Sequence, residues 1–151
     1  MLVELILASL LVGRSTPACL EVADADKRSY DDLRPIPVQL VPGGPVSSVV
    51  PRVYVTRAPK RGTKPARETH WIAFDLRRAD GSVRKSFYRF NYGDNVADYW
   101  VYALVPCDVN QDGRTDLVFY AGDDTGDDIV VLMNRNGRFR PSAAERARSS
   151  Q

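Results

Sequence analysis

Histidine, cysteine and long apolar runs are what this 151-residue chain has least of, with one His and two Cys in the whole sequence. With His70 alone, a Ser-His-Asp or Cys-His catalytic arrangement is implausible. His70 is read instead as a structural residue at the start of a strand. So few imidazoles and thiolates also argue against zinc or copper, which prefer those ligands. The longest apolar stretch, Leu2 to Val12, is interrupted by Glu4 and Ser9 and is too short to span a bilayer. A composition of 44% hydrophobic and 26% charged residues is that of a soluble globular protein and carries no sign of a fibre, a repeat array or a wholly disordered chain. One domain of ordinary size remains, large enough to bury a core without staples.

An excess of one charge sign is also missing, since the formal net charge is only +2. The charges are nevertheless segregated. Residues 52–92 hold eleven Lys or Arg against three acids, and residues 93–139 hold nine acids against three Arg. The most basic stretch, Ala58 to Arg67, carries Pro59, Gly62 and Pro65 among its cations and reads as a solvated loop between strands. A polyanion-binding patch over residues 60–67 is the alternative there. Without aromatic residues interleaved in that stretch, no specific nucleic-acid partner is expected.

The amino terminus reads as an export signal over residues 1–18, with the small residues Thr16-Pro17-Ala18 at its end. The Lys or Arg that normally precedes such an apolar run is absent, and a buried first strand or helix is the competing reading. A secreted, periplasmic or other extracytoplasmic location follows from the signal. There, Cys19 and Cys107 are compatible with one disulfide. Two alternatives stay open: a lipid on Cys19, the only route to a membrane, and two unrelated thiols.

Residues 19–51 carry Pro35, Pro37, Pro42, Pro45 and Pro51 and read as an arm that packs only in part, with short edge strands at Val38–Val41 and, beyond it, Val53–Val55. The β domain is expected over residues 52–140. A hairpin is predicted from Thr69 to Tyr92, turning on Asp80-Gly81 as a two-residue type I′ turn. That register sets Trp71 opposite Phe90 and Phe74 opposite Phe87, placing aromatic rings on both faces. Three continuous apolar runs, Trp100–Val105, Leu117–Ala121 and Ile129–Met133, read as strands covered on both sides. The carboxylates of Gly122–Asp128 are read as solvated, although a further calcium ligand or a second weak site is open to them. Asn136-Gly137 marks a turn, and residues 141–151 read as a disordered tail.

The first two of those runs are joined by Asp108-Val109-Asn110-Gln111-Asp112-Gly113-Arg114-Thr115-Asp116. Side-chain oxygens at Asp108, Asn110, Asp112 and Asp116 occupy loop positions one, three, five and nine, with glycine at six. Alternate residues of a tight loop can point at one hard cation, and Gly113 permits the sharp turn, so Ca²⁺ is the expected cofactor. Plain turn composition is the duller reading, but it supplies no reason for the spacing. An EF-hand is excluded because position twelve, where that motif needs a bidentate Glu on a helix, is Phe119 within a strand-like run. Dockerin modules fail similarly, for want of a second loop and helices.

From Tyr99 to Phe139 the chain resembles an FG-GAP or VCBS-type repeat, the β-propeller blade of integrin α subunits and many secreted bacterial proteins. The resemblance rests on Cys107 to Val118, the following hairpin and Asn136-Gly137-Arg138-Phe139. It implies a calcium loop between neighbouring strands of one blade, with Asp108, Asn110, Asp112 and Asp116 as side-chain ligands and Arg114 giving its backbone carbonyl. A propeller needs on the order of four to eight blades, and this chain holds one. The expected fold class is therefore all-β: a compact antiparallel β domain with one propeller-blade-like unit and an aromatic hairpin, not a complete propeller. The expected function is a non-catalytic calcium-binding module whose surface meets a protein or carbohydrate partner. A small secreted hydrolase using Asp124 and Asp127 is the competing enzyme reading.

Overall fold

A computed structural model describes residues 28–29, 32–93, 101–123 and 126–142. The expected export signal, Cys19, Asp124 and residues 143–151 of the expected tail lie outside them. The all-β expectation holds: the described residues form nine strands in two antiparallel sheets and no helix. One sheet has the order β2(Ile36–Gln39), β3(Val46–Ala58), β4(Arg67–Arg77), β5(Val83–Gly93). The other is ordered β1(Arg28–Ser29), β6(Val101–Cys107), β7(Asp116–Asp123), β8(Gly126–Arg135), β9(Arg138–Pro141). Each is a simple meander over its longer strands. Strands β3 to β5 come mostly from the basic stretch, whereas β6 to β9 carry both signs, with Asp116, Asp123, Asp127 and Asp128 against Arg135, Arg138 and Arg140.

Residues 36–51, read as the end of an arm that packs only in part with a short edge strand at Val38–Val41, form edge strand β2, the turn over 40–45 and the first part of β3. Ile36, Val38, Leu40 and Val49 are buried core residues. Proline density misleads here because the prolines sit where strands tolerate them. Pro37 lies in edge strand β2, and Pro51 falls just beyond Val49, the last β3 residue paired with β2. Pro42 and Gly43 form the turn between the two strands. Gly44 N–H donates to Val41 O at 3.0 Å and Gly43 has φ 69°, as a type II turn with Pro and Gly in its central positions requires.

The aromatic hairpin β4–β5 exists, but in a different register. Its strands close on Arg77 opposite Val83, so the connection is Arg78–Ser82 rather than Asp80-Gly81 alone. Farther along, Ile72 faces Phe90, Phe74 faces Tyr88 and Trp71 faces Asn91. The longer turn moves the register by one residue, and a bulge at Ser86, whose φ is 46° and whose N–H donates to Asp75 Oδ1 at 2.7 Å, moves it by two the other way. A neighbouring strand's carboxylate thus holds the extra residues in place, something local turn chemistry does not reveal.

The core lies between the sheets. From β7, Leu117, Phe119 and Ala121 point into it, and Phe119 meets Phe74 at 5.0 Å, Phe90 at 5.5 Å and Tyr88 at 6.0 Å between ring centroids. Phe139 of β9 reaches Phe87 at 5.3 Å. On the opposite face of β7, Val118 is buried in a smaller cluster with Val105, Cys107, Val109 and Ile129. The continuous apolar run of β7 is therefore buried on both faces, in keeping with its lack of alternation.

Candidate metal centre

The loop from Asp108 to Thr115 connects β6 to β7, and Cys107 opposite Asp116 is the last pair before it. Its carboxylates first organise its own backbone. Asp108 accepts N–H bonds from Asp112 at 3.0 Å and from Gly113 at 2.8 Å. Asn110 Oδ1 accepts from Asp112 N–H at 3.2 Å, and Asp112 Oδ1 accepts from Arg114 N–H at 2.9 Å. These bonds curl the chain so that the oxygen-bearing residues share one turn. The guanidinium of Arg114 lies 3.7 Å from Asp112 at the rim.

Asp116 differs from the others because it is fully buried. Its Oδ2 accepts from Val109 N–H at 3.0 Å and its Oδ1 from Asn134 N–H at 2.7 Å, tying the start of the loop and the end of β8 to the start of β7. Burial pushes the Asp116 carboxyl above its ordinary value. The two backbone donors pull it down, and the charges of Asp112 and Asp108 push it up.

Several contacts outside the oxygen-donor set fix this frame to the other sheet. Thr115 N–H donates to Gln39 O and Gln39 N–H donates to Thr115 Oγ1, both at 3.0 Å. The buried Asn134 side chain donates to Leu40 O at 2.9 Å and accepts from Gly137 N–H at 2.9 Å. Gly113 has φ 81°, and a Cβ there would come within 3.2 Å of Pro42 Cγ. Glycine is thus needed twice, for the loop's own turn and because the β2–β3 turn packs against it. Of these residues only Gly113 and the Asn136-Gly137 turn had a sequence signal. The rest act across 76 to 94 residues of chain.

All five expected metal-site residues lie on this loop and its closing strand residue, as their contiguity requires. Among the described residues, no three His, Cys, Asp or Glu side chains are already gathered as a metal-holding group. The donor chemistry nonetheless suits a hard cation. Every side-chain donor is an oxygen, and the buried Asp116 takes hydrogen bonds from backbone alone while lying near two further acids. The described ends of the acidic β7–β8 connection lie away from this loop. Asp123 pairs with Gly126 at the other end of β7, roughly 23 Å from Asp116 at a rise of about 3.3 Å per residue. His70 lies 3.8 Å from Glu68 on β4, in the other sheet.

No family model, curated protein or solved structure matches the chain.

Proposed function

We propose that this chain is a non-catalytic calcium-binding β module, in which Asp108, Asn110, Asp112 and Asp116 offer side-chain oxygens and Arg114 its backbone carbonyl to one Ca²⁺. The observation that carries the reading is a fully buried carboxylate, Asp116, held only by backbone donors beside Asp108 and Asp112. Bound calcium would add positive charge beside Asp108 and Asp116, since the ion pair described on the loop joins Arg114 to Asp112. The protein's part is to hold the turn with Gly113, to anchor its base through Asp116 and Thr115, and to join both sheets beneath it. The meander order of β6 to β9 agrees with the blade-like unit that the resemblance implies.

The test is linkage between calcium and folding. An ion that binds only the folded form stabilises it by about 2.7 kcal/mol at a hundredfold excess over Kd. For a weak, extracellular-type site that excess is about 10 mM Ca²⁺. The melting temperature should rise by roughly 8 °C over its value in EDTA. Asp112→Ala should melt close to wild type in EDTA, because this exposed carboxylate holds only loop groups, and should lose the calcium response. A melting temperature indifferent to calcium in the wild type would defeat the reading.

We also propose an extracytoplasmic setting in which Cys107, at the end of β6, bridges to Cys19 and ties the amino-terminal segment to the base of the loop. Alkylation of the unreduced, denatured protein should leave its mass unchanged, and reduction first should add two labels. Label uptake without reduction would show free thiols instead.

A further inference from the structure

The strongest feature outside the loop is on the other sheet. Where β2 and β5 end, β3 and β4 continue as a two-stranded hairpin. The pairing of β2 with β3 stops at Ile36 opposite Val49, and that of β4 with β5 at His70 opposite Gly93, while β3 and β4 stay paired to Ala58 opposite Arg67. Residues 55–68 are exposed throughout. This projecting ribbon carries Arg57, Lys60, Arg61, Lys64 and Arg67 against one acid, Glu68, which Arg57 pairs at 2.6 Å. Lys60, Arg61 and Lys64 have no acidic partner among the described residues. An open cleft at the ribbon's end is lined by Arg61, Lys64 and Arg67.

The outer face of the sheet continues the basic surface. Cross-strand pairing puts Arg52, Ala73 and Arg89 in one row and Tyr54, Trp71 and Asn91 in the next. Tyr54 and Trp71 lie with centroids 6.2 Å apart and ring planes within 7°. The Arg52 guanidinium stands 5.2 Å from the Tyr54 ring and that of Arg89 5.3 Å from Trp71. Aromatic rings are absent from the basic stretch in the sequence, yet the sheet supplies them beside the cations. Asp75 is the acid on this face, 3.5 Å from Arg52, and Arg89 has no acidic partner among the described residues.

We propose that this face and the ribbon form a binding surface for a linear, sulfated or carboxylated polysaccharide. Guanidinium groups placed over aromatic rings are restrained in position and can fork onto sulfate or carboxylate oxygens. The surface runs along β3 for about 20 Å from Arg52 to Ala58 and on to the basic tip of the ribbon, so it suits a repeating anion better than a small one. Single-stranded nucleic acid fits less well. The ribbon has prolines and no aromatic residue, so there is no series of free ring faces on which successive bases stack. The surface names the partner left open above and uses none of the calcium-loop residues, so either reading can fail without the other.

Heparin affinity chromatography of the full chain, run in EDTA and again in calcium, tests the proposal. The wild type should be retained at physiological salt under both conditions. Changing Lys60, Arg61 and Lys64 together to Gln should lower the slope of log K against log salt by about three and weaken binding tenfold or more. Arg89→Gln should give a smaller loss in the same direction. The matched control changes exposed Arg135, Arg138 and Arg140 of the other sheet to Gln, and its elution should stay at the wild-type position. Three outcomes overturn the proposal: wild type in the flow-through, an equal shift in the control, or binding to an oligothymidylate of equal charge or to phosphatidylserine vesicles as tight as to heparin.

Discussion

Asp116→Ala is expected to destabilise the protein by about 3 kcal/mol in EDTA, measured by urea unfolding. The substitution leaves the N–H groups of Val109 and Asn134 without acceptors, and each buried unsatisfied donor costs about 1–3 kcal/mol. Relief works the other way, because the carboxylate is buried and the charges of Asp112 and Asp108 oppose its ionisation. Two lost acceptors at a fully buried position outweigh that relief. Asp116→Asn separates the terms. It removes the charge and keeps one carbonyl acceptor, but sets an NH₂ against the second backbone donor, so its cost should fall between wild type and Ala. Both variants should lose the calcium response. If Asp116→Ala matched Asp112→Ala in EDTA, Asp116 would have no structural role apart from the ion.

This contrast separates two roles that the loop motif merges. Position nine of the loop was legible in the sequence as an oxygen donor. Its task of joining β7 to the end of β8 was not, because Asn134 lies 18 residues away and donates through its backbone. Legible signals were those with short range. Continuous apolar runs announced strands buried on both faces, and Leu117 to Ala121 is such a strand. Asp80-Gly81 announced a hairpin, but its register depends on Asp75 holding the bulge at Ser86, a contact between strands. Proline density in residues 35–51 looked like a linker because proline's cost is local. The burial of Ile36, Val38 and Val49 that offsets it requires a second sheet. Segregated charge was visible along the chain, but the pairing that sets Arg52 and Arg89 in one row across β4 was not.

The sheet-to-sheet contact also sets the other large expected effect. Phe119→Ala should cost about 3–5 kcal/mol, as truncation of a buried Phe generally does, because the sheets meet through this ring. Phe119 is fully buried and stands edge-on to Phe74, Tyr88 and Phe90, three rings of the opposite sheet. Edge-to-face pairs add about 0.5–1.5 kcal/mol each beyond area burial, so the loss belongs at the upper end of the range. Val118→Ala is the comparison from the same strand. Its side chain is 1% exposed but faces the smaller cluster with Val105, away from the main core. Losing two methyl groups there should cost about 1–2 kcal/mol at roughly 0.8 kcal/mol per carbon plus a small cavity term. Urea unfolding of both variants in EDTA distinguishes the faces without involving the ion. Equal losses would mean that β7 is held as much by its outer cluster as by the opposing sheet, and the two-sheet core would no longer account for the fold's stability.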